Sequence, residues 1–144
     1  MSYPSLFISK QNLKDKCIED GFISYDLNNM HVTYREEMRG DLVVIKDEDC
    51  FLIAHVNEMQ KKKIQGNLKS GVTELLTQIN NDYETFVETF HWGFLFIAEF
   101  ATNKNTLIND PFGIYPIYIT EDKAKLIISN DFYRLCSFHE KIHF

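Results

Sequence analysis

From residue 42 onward the chain is written in short apolar runs separated by turn residues, and no other feature limits its fold as much. Runs of this length, rich in β-branched and aromatic residues, are strands. Leu42-Val43-Val44-Ile45 and Cys50-Phe51-Leu52-Ile53-Ala54 flank the acidic turn Lys46-Asp47-Glu48-Asp49. That predicts a hairpin whose strands are buried on both faces. Later the same rhythm predicts a meander of about four strands, over residues 92–100, 106–109, 114–120 and 126–129. Its turns are Thr102-Asn103-Lys104-Asn105, the Asp110-Pro111-Phe112-Gly113 loop and Glu121-Asp122-Lys123.

Between the two β-rich regions, Leu75, Leu76, Ile79, Tyr83, Phe86, Val87 and Phe90 follow helical spacing. One helix or two short ones are expected there, with Thr73 as N-cap. A short helix over 131–138 closes the pattern, with Asp131 near its N-terminus, where the helix dipole favours an anion. Among the first forty residues the reading is a strand in 3–9, a helix over 11–20 and a hairpin over 22–34 about Asn28-Asn29. Hairpins, one helical layer and a long meander predict an α+β sandwich of stacked, mainly antiparallel sheets with flanking helices.

No Pro/Gly/Ser-rich linker or internal repeat interrupts the 144 residues, so one domain over 1–144 is expected. A hydrophobic fraction of 44% argues against disorder. Lys and Arg total 15 against 21 Asp and Glu, a net charge of -6 that repels a phosphate backbone. Nucleic acid is therefore excluded as a partner. Lys61-Lys62-Lys63 reads as a solvated loop, the alternative being a contact surface for an acidic partner.

Cys17, Cys50 and Cys136 are odd in number, lack metal spacing and follow no signal-peptide pattern, which fits a reduced, cytoplasmic setting. Each reads as a small buried apolar group. Among His31, His55, His91, His139 and His143 only the last two stand four apart, without a third ligand, so no metal is expected. The longest apolar runs fall far short of the ~20 residues that span a bilayer. No membrane contact is expected.

Four segments, in order, carry a family resemblance: Gly71-Val72-Thr73-Glu74-Leu75-Leu76, Phe90-His91-Trp92-Gly93-Phe94-Leu95-Phe96, Leu107 through the Asp110-Pro111-Phe112-Gly113 loop to Tyr118, and Ser129-Asn130-Asp131-Phe132-Tyr133-Arg134-Leu135. Together they resemble the class II glutamine amidotransferase domain of asparagine synthetases and their relatives, and the stretch that holds them, from Gly71 to Phe138, spans about half the chain. The resemblance implies an Ntn-hydrolase-like α/β sandwich. It also implies glutamine hydrolysis by an N-terminal Cys whose own α-amino group is the base.

The chemistry departs from that family. Ser2 stands where the nucleophilic Cys is implied, and the small Gly-containing sequence that follows it in the family is missing. The family's oxyanion segment, Asn-Gly-Glu, is matched by Val56-Asn57-Glu58 without its glycine, leaving Asn57 as a remnant. Val72 replaces the carboxylate that would hold the glutamine ammonium. Arg39 is a distant echo of an Arg-rich binding segment. Glu74, Asp110, Gly113 and Asp131 occupy motif positions whose reading is mostly structural: Gly113 for backbone freedom, Asp110 as an acceptor for turn amides.

The resulting expectation is a catalytically inactive glutaminase-like domain, acting as scaffold or docking part beside an adenylating synthetase domain or subunit. The synthetase (ATP-pyrophosphatase) domain itself, with its glycine-rich phosphate loop, is absent from these residues. No cofactor is expected in this domain; ATP and Mg would enter only through the synthetase. Relatives such as β-lactam synthetases and lasso-peptide cyclases have lost glutaminase activity, which points to a peptide as substrate. Two alternatives remain: an active Ntn amidohydrolase with Ser2 as nucleophile, and a peptide- or protein-binding module. The latter would use the old glutamine pocket or the exposed sheet edge, lined by the aromatics Phe94, Phe96, Phe100, Phe112, Tyr115 and Tyr118, which alternation otherwise assigns to the core.

Overall fold

The structure, a computed structural model, describes residues 5–10, 21–27, 29–67, 72–88, 93–110, 115–122, 125–131 and 135–136. Among the described residues nine strands are present: β1 (Leu6–Ser9), β2 (Phe22–Asp26), β3 (His31–Arg35), β4 (Leu42–Lys46), β5 (Cys50–Val56), β6 (Gly93–Glu99), β7 (Asn105–Asn109), β8 (Tyr118–Asp122) and β9 (Lys125–Ser129). Among the described residues the helices with given bounds are α1 (Glu58–Asn67), α2 (Val72–Asn81) and α3 (Tyr83–Glu88). A 3-10 turn spans Glu36–Met38. Every strand pairing is antiparallel.

The α+β expectation, and the Ntn-hydrolase-like α/β sandwich with it, is overturned. Nine strands in two antiparallel sheets against a few short helices make the described chain essentially all-β. The physical reason lies in the runs themselves. Val, Ile and Phe recur in stretches that suit a pleated surface, whereas the helices are only 10, 10 and 6 residues long. The helix expected over 11–20 lies outside the described residues, and of the one over 131–138 residues 135–136 are helical.

The chain divides into two compact units, Asp41–Tyr115 and the combination of Met1–Gly40 with Pro116–Phe144. In the first, the sheet runs β4-β5-β6-β7. The β4–β5 turn is built on Asp47, whose carboxylate accepts the amides of Asp49 and Cys50 at 2.8 Å each. One face of the sheet presents Val43, Leu52, Ala54, Val56, Leu95, Ile97 and Ile108 to Ile64 of α1 and to Val72, Leu75, Leu76 and Ile79 of α2. Burying each such side chain stabilises by about 1.5–3 kcal/mol. The other face carries Phe51, Ile53, Phe94 and Phe96, also buried, so the continuous apolar character of β5 and β6 answers to burial on both sides.

In the second unit the sheet runs β2-β3-β1-β9-β8. β1 is central, and Leu6, Phe7 and Ile8 have no exposed surface. Phe7, Ile127 and Leu135 cluster on one face with Phe22, over whose ring the Arg35 guanidinium stands at 4.8 Å. Tyr34 is buried beside Tyr25, with ring centroids 6.3 Å apart. Burial, then the hydrogen bond to Tyr25, pushes the Tyr34 phenol up to about 12.

Three local expectations also need correcting. Lys61, Lys62 and Lys63 lie on α1, not in a loop. Gln60 and Ile64, four apart and buried, give that helix its inner edge while Lys62 and Lys63 face outward. Thr73 falls inside the first turn of α2 instead of preceding it. The meander is split: β6 and β7 belong to the four-stranded sheet, β8 and β9 to the five-stranded one. Pro116 has no N–H for a ladder, and regular pairing resumes only at Tyr118.

Candidate functional site

The chemistry-bearing groups of the Asp41–Tyr115 unit gather where β5 and β7 end and β6 begins. Gly93 opens β6 at φ +125° opposite Val56. A Cβ there would stand 2.2 Å from the His55 carbonyl oxygen, so only glycine allows β6 to begin this close to β5. Asp110 follows the last residue of β7, and its amide donates to the Gly93 carbonyl at 3.0 Å. The Asp110 side chain, 2% exposed, accepts the Tyr115 amide at 2.8 Å and the Gly93 amide at a longer 3.4 Å. A buried carboxylate is tolerated because main-chain donors satisfy it.

Tyr115 is held a second time through its side chain. Its hydroxyl lies 2.8 Å from His55 Nδ1, with the two rings edge to face at 5.1 Å. The Phe94 ring packs against it at 5.2 Å. His55 is half-buried, and that burial lowers its pKa from 6.5; Lys61 pushes the same way and Asp41 opposes. The imidazole is therefore neutral near pH 7 and can accept the phenolic proton at Nδ1.

Asn57 sits one residue beyond β5. Its Oδ1 accepts the Gln60 amide at 2.9 Å and its carbonyl accepts the Lys61 amide at 2.9 Å, which makes it the N-cap of α1. Val72 has no exposed surface and lies in the apolar cluster between α2 and the sheet. Glu74 is on α2.

In the other unit, Asp131 accepts the Ser5 hydroxyl at 2.6 Å, and its amide donates to Ser129 Oγ at 3.0 Å. The neighbouring Asn130 is buried and takes the Leu6 amide at 2.9 Å. Arg39 is exposed after the 3-10 turn, where its amide donates to the Glu36 carbonyl at 3.0 Å. Ser2 and Gly113 lie outside the described residues. Among the described residues no group of three His, Cys, Asp or Glu is placed to hold a metal ion, and no helix is long and apolar enough to cross a membrane.

Asn57 and Asp110 thus share a unit, while Arg39 and Asp131 belong to the other. Neither metal spacing nor a nucleophile pattern in the sequence points to the His55–Tyr115 pair. Its signal was the period of two on β5, which puts His55 on the face of Phe51 and Ile53, where a polar side chain needs a partner. Chemically, these groups satisfy one another and the main chain, so the arrangement holds backbone in place. No family model, no curated protein and no solved structure matches this chain.

Proposed function

We propose that this chain is a non-hydrolysing domain, glutaminase-like in its motifs, that serves as scaffold or docking part for an amide-forming, adenylating synthetase acting on a peptide. Val72 carries the reading. Where the resemblance places a carboxylate for the glutamine ammonium, an apolar side chain with no exposed surface packs among Val56, Ile64 and Leu75. An ammonium brought to such a position would lose its hydration and gain no counter-charge. The other motif positions support the same view, because the Asn57, Asp110 and Asp131 side chains accept amide or hydroxyl donors of the fold.

ATP and Mg would act at the partner alone. Cys50 and Cys136, both present as thiols, fit a cytoplasmic, reducing setting.

Two measurements test the proposal. Purified chain incubated with glutamine should release ammonia no faster than its Ser2→Ala variant. Affinity-tagged chain should retrieve, under native conditions, a complex that catalyses ATP–pyrophosphate exchange. Steady ammonia release abolished by Ser2→Ala would overturn the reading, and so would a retained partner devoid of exchange activity.

A further inference from the structure

Gln60 and Ile64, buried and four positions apart, attach α1 to the fold. Met59, Lys62, Lys63 and Gly66 stand at i, i+3, i+4 and i+7 of the same helix, so they form a separate stripe on its outer side. All four are exposed, Met59 by 58%. Along this stripe Lys62 and Lys63 lie to either side of the line from Met59 to Gly66.

Packing within the chain does not explain these residues. Lys62 and Lys63 make no ion pair among the described residues, although Glu58 stands four positions before Lys62, the spacing and order at which helical pairs form. No lysine lies in the last turn of α1, where the helix dipole would favour a cation. With Lys61 they nonetheless set three of the chain's 15 basic residues in consecutive positions. Gly66 is equally unaccounted for. Its backbone is helical, not left-handed, and a Cβ there would stand in open space. Glycine at such a position weakens a helix relative to alanine, so the fold by itself gains nothing from it.

We infer that this stripe of α1 is a contact surface for an acidic segment of a partner polypeptide. The segment lays an apolar side chain over Met59 and sets a carboxylate against each of Lys62 and Lys63. Its main chain comes close at Gly66, where no side chain holds it off. A second copy fits worse, because it would set lysines against lysines. A bilayer or a nucleic-acid duplex reaches past the stripe to the rest of a chain whose net charge is -6. A short segment stays within the about 10 Å from Met59 to Gly66, close to the screening length of about 8 Å at physiological ionic strength, and so meets mainly the lysines.

The probe is a short, blocked peptide that carries leucine between glutamates and bears an uncharged fluorophore. Titrated with the full chain, it should show saturable fluorescence anisotropy that weakens with added salt, and its counterpart with lysine in place of glutamate should not bind. Lys62→Glu combined with Lys63→Glu should weaken binding about tenfold or more at an unchanged urea midpoint, since both side chains are exposed. Gly66→Ala separates docking from folding. Its urea midpoint should rise, because alanine favours the helix and has room, while its binding should fall by a few fold.

Wild-type binding by either the double lysine variant or Gly66→Ala would overturn the assignment, as would no saturation up to about 1 mM peptide. Phosphatidylserine vesicles or a DNA duplex bound through Lys62 and Lys63 more tightly than the peptide would also overturn it, giving the stripe to lipid or nucleic acid. The stripe stands apart from the adenylating partner: the titration uses neither ATP nor that partner, so failure of either measurement leaves the other unaffected.

Discussion

Gly93 and Asp110 secure the same junction from opposite directions, one by having no side chain and the other by placing one where main-chain donors converge. At φ +125°, with a prospective Cβ 2.2 Å from the His55 carbonyl, alanine at 93 must push two hydrogen-bonded strands apart. Gly93→Ala should cost about 2 kcal/mol or more, read as a lower urea midpoint at unchanged m-value. Asp110→Ala removes the acceptor of the Tyr115 amide and leaves a buried donor unsatisfied, a loss of about 1–3 kcal/mol. Asp110→Asn keeps one acceptor oxygen and should lose less, so the order wild type, Asn, Ala in urea midpoint checks the role. An aspartate beside a Pro-Phe-Gly loop that takes turn amides is local chemistry, legible from sequence. His55 is different, because its partner Tyr115 is sixty positions away in the chain. No local spacing encodes that contact.

Among the elements, strands bounded by turn residues were the most legible, because run length and turn chemistry are both local. The β4–β5 hairpin and the β2–β3 hairpin fall where apolar runs and their intervening turns place them. α1 was not legible, for it buries little beyond Gln60 and Ile64 and shows lysines over most of its middle. Its start depends on Asn57, so Asn57→Ala should lower stability by about 1 kcal/mol, with a matching loss of far-ultraviolet helical signal. Asn57→Asp, which keeps the acceptor and adds a charge favoured by the helix dipole, should retain it. α2, in contrast, shows Leu75, Leu76 and Ile79 at helical spacing, and all three are buried against the sheet. Which strands share a sheet stayed hidden. β1 lies between β3 and β9, bringing Phe7 opposite Ser129, and nothing local specifies a pairing across almost the whole chain.

At the scale of the whole molecule, proton balance links the site to stability. Burial lowers the His55 pKa below 6.5, so the folded chain binds this proton less readily than the unfolded chain does. Where the unfolded state holds more protons, stability rises with pH. The His55 contribution is therefore fully present above about pH 6.5 and is lost as pH falls from there through the lower folded value. Asp41 opposes the shift and Lys61 adds to it, both less than burial does. Protonation would also turn Nδ1 into a donor toward the Tyr115 hydroxyl, leaving the proton of a buried phenol without this acceptor. The useful quantity is a difference between two proteins. His55→Gln cannot gain this charge, and its urea midpoint should decline less than that of wild type between pH 7 and pH 5. The gap between the two curves should narrow or reverse toward the acid end. Parallel curves across that interval would mean that the His55–Tyr115 contact does not couple the site to the stability of the fold.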